Sequence, residues 1–214
     1  MMHTLTNKQP FCHSGGLSQS LISSGHSYAR KFSDALDTSR IALTGGSAGS
    51  NLAAALTTLT ITRPLPNQTR VASLSLLYPA LNLAVPYAEK LARVDPERVL
   101  PQWASQFFLR AYLPPPRSAT DPFVSPALSP LSVLKQYPPT VILTAAYDYL
   151  AHEAETFAEQ LRSEGVNVKV RRFEDVGHGF DGIPTWDRRQ RMLNSEARDI
   201  AWGMIAETVR DTLL

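Results

Sequence analysis

The chain of 214 residues has a single cysteine, Cys12. A lone thiol excludes an internal disulfide and any metal framework built on several cysteines, and it fits a reducing compartment. No apolar run approaches the ~20 residues that span a bilayer, and the opening MMHTLTNK lacks the apolar stretch of a signal peptide. The expected location is therefore cytoplasmic, with no transmembrane segment. Excess charge of one sign is also missing: 21 lysines and arginines face 19 aspartates and glutamates. That balance leaves no electrostatic footprint for nucleic acid or an anionic membrane, so the expected partner is a small molecule. The histidines are scattered, and no glycine-rich loop is followed by residues that hold nucleotide phosphates. Neither a metal nor an organic cofactor is implied.

What is present suits one globular domain, since 43% of the residues are hydrophobic and the chain is long enough for a sizeable core. Residues 1–24 are polar, punctuated by glycine and serine, and show neither helical nor strand periodicity. They are expected to be poorly ordered, which leaves 25–214 as a partial domain. A short helix is expected over 26–36. Apolar runs at 40–44, 71–78 and 140–146 read as buried parallel strands, and Val166, Val168 and Val170 alternate with polar residues in a fourth that ends near Phe173.

Between the strands lie helical patterns. Leu52, Ala55, Leu56 and Leu59 fall at the spacing of one apolar helix face. A helix over 150–163 stops near Gly165, and a last one runs to the C-terminus with Ala197, Ile200, Ala201, Met204, Ile205 and Val209 in period. Fourteen of the 16 prolines lie between Pro64 and Pro139, so that stretch reads as loops around one helix, 102–112, whose Trp103, Phe107 and Phe108 are expected to pack into the core, with the lining of a pocket as the second reading. Strands alternating with helices imply an α/β fold with a parallel sheet and ligand sites at the C-terminal ends of its strands.

The sequence Gly45-Gly46-Ser47-Ala48-Gly49 matches G-x-S-x-G, and it follows a short apolar strand and precedes a helix, as that motif requires. Small residues on both sides of Ser47 avoid a collision as strand and helix approach through a strained turn. Ser47 is thereby the candidate nucleophile, and the backbone N–H of Ala48, at the helix N-terminus, is placed to donate to an oxyanion. The plainer use of a serine here is as a helix N-cap.

A serine hydroxyl needs a base, and an imidazole needs a partner to fix its tautomer. Asp148 follows the strand 140–146 at the right end, either as that orienting acid or as a cap for the next helix. His178 lies between Gly177 and Gly179, beyond the last strand, on a loop free to bring the ring inward. His152 is a rival base, in a first helical turn beside Glu153 and Glu155; His3, His13 and His26 precede the serine. The order Ser47, Asp148, His178 is the one expected of this fold.

With these residues in view, the chain resembles the hormone-sensitive-lipase-like esterases of the α/β-hydrolase fold-3 family. The resemblance is carried by the run from Ser39 to Ala53 (SRIALTGGSAGSNLA), by Asp121-Pro122 with Ser125-Pro126, by Pro138-Pro139, by Ala145 to Leu150 (AAYDYL), and by Gly177-His178-Gly179-Phe180. It implies an α/β-hydrolase fold and hydrolysis of a carboxylic ester by acyl transfer through Ser47. The family's nucleophile segment usually reads GDSAGG; here Gly46 and Ser50 replace an Asp and a Gly, and Gly46, a second small residue before Ser47, is expected to make the turn looser. Upstream, only His13-Ser14-Gly15-Gly16 is similar to the family's HGGG-type oxyanion loop, and too few residues follow it for the family's elements. The expected fold therefore lacks the N-terminal strands and cap, as an N-terminally shortened chain would. Two functional expectations result: a carboxylesterase, or an impaired or inactive remnant that has lost its oxyanion loop. A peptidase or lactonase using the same residues ranks below them.

Overall fold

In the computed structural model of the chain, the four apolar runs become strands β1 (Ile41–Gly46), β2 (Val71–Leu77), β3 (Thr140–Tyr147) and β4 (Val168–Gly177). They hydrogen-bond in that order, and every pair is parallel. The structure describes residues 40–63, 69–95, 98–113 and 118–213, all within the second of two units, Ser39–Leu214. Cys12, the segment 1–24, the expected helix at 26–36 and His13 to Gly16 lie outside the described residues.

Helices α1 (Ala48–Thr62), α2 (Tyr87–Leu91), α3 (Gln102–Tyr112), α4 (Leu131–Leu134), α5 (Ala151–Ser163) and α6 (Arg188–Leu213) fill the intervals. Because the strand order never reverses, right-handed crossovers put the connecting helices on one face. On that face Ala53 and Ala54 of α1 and Ala154, Phe157, Ala158 and Leu161 of α5 pack with Leu74, Leu76 and Ile142. Alternate strand residues point the other way, where Leu77, Val141, Leu143 and Ala145 meet Ala197, Ala201 and Ile205 of α6. The sheet is thus covered on both sides, which explains the near-continuous apolar sequence of β3.

One expected helix face is wrong. The residues that α1 buries are Ser50, Asn51, Ala53, Ala54, Thr57 and Thr58, with Leu59, whereas Leu52 is 51% exposed. Small residues let the helix lie close to the strands, and their hydroxyls are hydrogen-bonded: Thr57 Oγ1 donates to the Ala53 carbonyl at 2.9 Å, and Thr58 shares a 2.7 Å bond with the Tyr137 hydroxyl. The core reading of the α3 aromatics fails as well. Trp103 and Phe107 are 73% and 64% exposed, and Ala104 alone of that helix is buried. No helix among the described residues is long and apolar enough to cross a membrane.

Candidate active site

Parallel strands bring their C-terminal ends to one edge, and three of those ends carry the residues singled out above. Ser47 follows β1, Asp148 follows β3 and His178 follows β4. The turn from β1 into α1 is tight: a Cβ added at Gly45 would lie 2.3 Å from the backbone carbonyl of Gly49 and 2.6 Å from the Ser50 nitrogen. Gly45 is therefore indispensable to the crossing. Gly49 is not, since a Cβ there meets open space. Gly45→Ala is expected to cost ~1–3 kcal/mol of stability, read as a lowered Tm. Gly49→Ala, within α1, is expected to be neutral or stabilising by up to ~1 kcal/mol.

The expected looser turn is also corrected. Ser50 Oγ lies 2.6 Å from the Gly45 carbonyl and 3.0 Å from that of Leu77, sharing one proton between them, and accepts from the Leu77 amide at 3.1 Å. It ties α1 to β1 and β2 together. Gly46, the other departure, is backed by the ring of Tyr78, whose hydroxyl would sit 2.9 Å from a Cβ at that position.

Ser47 has φ 54°, a left-handed conformation that side chains rarely adopt. Its Oγ makes no capping bond to α1, so the N-cap use is not what the side chain does. It lies 2.8 Å from His178 Nε2, and His178 Nδ1 lies 2.8 Å from Asp148 Oδ2. With Asp148 ionised, that pairing sets the Nδ1–H tautomer, leaving Nε2 to accept the serine proton. Asp148 is buried, and its second oxygen accepts from the Leu150 amide at 3.0 Å, so the carboxylate is fixed from both sides. His152 is not drawn in: its Nε2 meets Arg93 Nη1 at 2.8 Å, away from Ser47.

The Ala48 amide opens α1. Ser50 and Asn51 N–H groups already donate to the Ser47 carbonyl, whereas helix-start amides such as that of Ala48 have no acceptor within the helix. Beside it lies a cavity of about 210 Å³, with Ser47 and His178 in its wall and Leu83, Val85, Leu100, Phe108, Leu109 and Leu150 lining it. Its polar groups are largely satisfied by one another. Asn51 Nδ2 donates to the carbonyls of Ala80 and Val124 at 2.8 and 2.9 Å, and its Oδ1 accepts from the Tyr112 hydroxyl at 2.9 Å. The Tyr87 hydroxyl donates to the Leu100 carbonyl at 3.0 Å.

Two buried charges stand behind this cavity, and sequence reasoning missed them. Lys90, which also lines it, forms an ion pair with Glu153, each side chain only 8% exposed. Glu153 Oε1 accepts from the amides of Leu81 and Asn82 at 2.7 and 3.1 Å, and Lys90 Nζ donates to the Asn82 carbonyl at 2.7 Å. Burial pushes the Glu153 carboxyl above the ordinary glutamate range, while Lys90 and the two amides pull it back. The pair pins the turn after β2 to α5, and that turn forms one wall of the cavity.

Known proteins resemble this chain in sequence and in fold. A family model described as alpha/beta hydrolase fold matches residues 17–182. Hormone-sensitive lipase of Ictidomys tridecemlineatus is 32% identical over 104 residues, 49% of this chain and 14% of that protein. An AB hydrolase superfamily protein of Schizosaccharomyces pombe is 28% identical over 171 residues, 76% of this chain and 48% of that one. An esterase from Pyrobaculum calidifontis of known structure superposes with a TM-score of 0.68 at 29% identity, covering 87% of this chain and 59% of its own. This chain thus spans less than two thirds of the length of each of these relatives. A parallel sheet with a serine on the turn after one strand, together with these likenesses, makes the chain a member of the α/β-hydrolase fold family, on its hormone-sensitive-lipase-like side.

Proposed function

We propose that this chain hydrolyses carboxylic esters by acyl transfer through Ser47, with His178 as general base and acid, Asp148 as orienting carboxylate and the Ala48 amide as an oxyanion donor. The observation that carries the proposal is the hydrogen-bonded line from Asp148 through His178 to Ser47, with both bonds at 2.8 Å. As Oγ attacks the ester carbonyl carbon, His178 Nε2 takes its proton and the carbonyl electron pair moves onto oxygen, facing the Ala48 N–H. Collapse breaks the bond to the alcohol oxygen, which leaves with the proton from His178. Water then attacks the acyl-serine, again giving a proton to His178; the acyl carbon–Oγ bond breaks, His178 returns that proton to Oγ, and the carboxylic acid departs with Ser47 restored. Asp148 stabilises the imidazolium of both half-reactions without taking its proton.

The substrate follows from the cavity: its lining is apolar beside Ser47, so a small or medium acyl group is the part it would hold. The test is incubation of folded protein with a p-nitrophenyl ester of a short acid and, separately, with an organophosphonate. Release of nitrophenol and a phosphonyl adduct on the Ser47 peptide are the expected results. Absence of both from folded protein would overturn the proposal in favour of a non-catalytic remnant.

A further inference from the structure

Two non-glycine residues among those described have a positive φ, Ser47 and Tyr78, and both touch His178. Strain of this kind, ~1–3 kcal/mol per residue, persists only where surrounding contacts hold it. At Tyr78, with φ 36°, those contacts are plain. Its amide donates to the Leu143 carbonyl at 2.6 Å, its ring lies 4.9 Å from that of His178 at an interplanar angle of 59°, and Phe180 meets it edge-on at 5.6 Å. The Tyr78 hydroxyl donates to Asp181 Oδ1. Burial and that carboxylate push the phenol well above the ordinary tyrosine range, so it remains a donor. Gly46 makes the room: any side chain there would press on the Tyr78 ring. The motif thus lacks a side chain beside Ser47 where a neighbouring strand supplies a ring.

We infer that Tyr78 is a positioning residue for His178: its ring, seated on Gly46 and anchored by Asp181, keeps the imidazole on the line between Asp148 and Ser47. The inference rests on the esterase reading for its kinetic consequences, but not for its geometry. The bonds to Asp148 and Ser47 hold the two ring nitrogens but leave the imidazole free to swing about the line that joins them. Tyr78 closes that freedom from the side.

The experiment measures steady-state kinetics on a short-chain p-nitrophenyl ester and the ring ¹⁵N shifts of His178, which report its tautomer whether or not any ester is turned over. Tyr78→Leu is expected to lower kcat by ~10²-fold, the effect of a misplacement near 1 Å, with KM changed by less than about twofold because ground-state binding is untouched. Its imidazole is expected to become a mixture of tautomers, where the unsubstituted chain holds the Nδ1–H form. Tyr78→Phe and Asp181→Ala, which keep the ring but free it, are expected to lose ~10-fold, less than a full misplacement. Asp181→Asn, still offering an acceptor oxygen, is expected to recover most of that loss. Gly46→Ala displaces the ring without altering it and is expected to act like Asp181→Ala. Should Tyr78→Leu not fold, the Phe, Asp181 and Gly46 variants decide the matter. Folded variants that keep both kcat and the single tautomer would overturn the inference, as would a loss of kcat with the tautomer unchanged. An inactive parent chain would sink the esterase reading alone, because the nitrogen shifts still discriminate.

Discussion

Ser47→Ala is expected to lower kcat for a short-chain p-nitrophenyl ester by ~10⁴–10⁶-fold, because the proposed mechanism loses its attacking oxygen and keeps only what binding and the Ala48 amide provide. The substitution deletes one hydrogen bond, to His178 Nε2. A single such bond is worth ~1 kcal/mol net, so Tm is expected to move by no more than ~2–4 °C in a domain of this size. This separation of activity from stability is the informative part. Ser47→Gly sharpens it, since glycine adopts φ 54° without strain and is expected to raise Tm above that of the alanine variant. Assays of both proteins beside the parent, with thermal melts of each, check the pair. Undiminished turnover in the alanine variant would remove Ser47 from the mechanism.

The largest loss of stability is expected at Glu153. Glu153→Ala strands the ammonium of Lys90, only 8% exposed, and orphans the Leu81 and Asn82 amides. Breaking a buried pair from one side costs ~3–5 kcal/mol, measured here by denaturant unfolding. The remedy is specific. Lys90→Met together with Glu153→Gln removes both charges while the glutamine oxygen still receives the two amides, and that double variant is expected to regain most of the loss. An alanine variant as stable as the parent would mean that water or a shift of Lys90 compensates the missing carboxylate. Because the pair holds a wall of the cavity, Glu153→Ala is also expected to raise KM for esters.

How far each of these features could be read from the chain depended on how local its cause is. The strand–turn–helix that carries Ser47 was legible because the glycine spacing and the flanking strand and helix all sit within a dozen residues. The α3 boundaries, Gln102–Tyr112, were legible for the same reason, with Pro101 ahead of them. The buried face of α1 was not, because leucine is the stronger signal of burial, whereas a helix lying close to a sheet favours alanine and threonine. β4 runs on to Gly177, beyond the expected end near Phe173, because a strand at an edge of the described sheet tolerates the charges of Arg171, Arg172, Glu174 and Asp175 on its exposed positions. α6 begins at Arg188, well before the apolar period starting at Ala197, since Leu193, partly buried against the core, is too little in its first turns to make a pattern. Tyr78 and the Lys90–Glu153 pair left no trace in the sequence. Each depends on contacts made across many residues, and Glu153 beside His152 read as an ordinary polar helical turn.

Wholly parallel pairing has a further outcome, in the time domain. Every strand contact in this sheet requires a crossover to close first, and Ser47 meets His178 across 131 residues. Loop closure of that kind is an entropic toll taken before the contact rewards it, which makes such topologies slow to fold. Helices form in microseconds or less, so a refolding chain regains helical signal long before β4 docks on β3 and brings His178 to the serine. A partly folded molecule can therefore look largely native in its helices while the contact between Ser47 and His178 has yet to form.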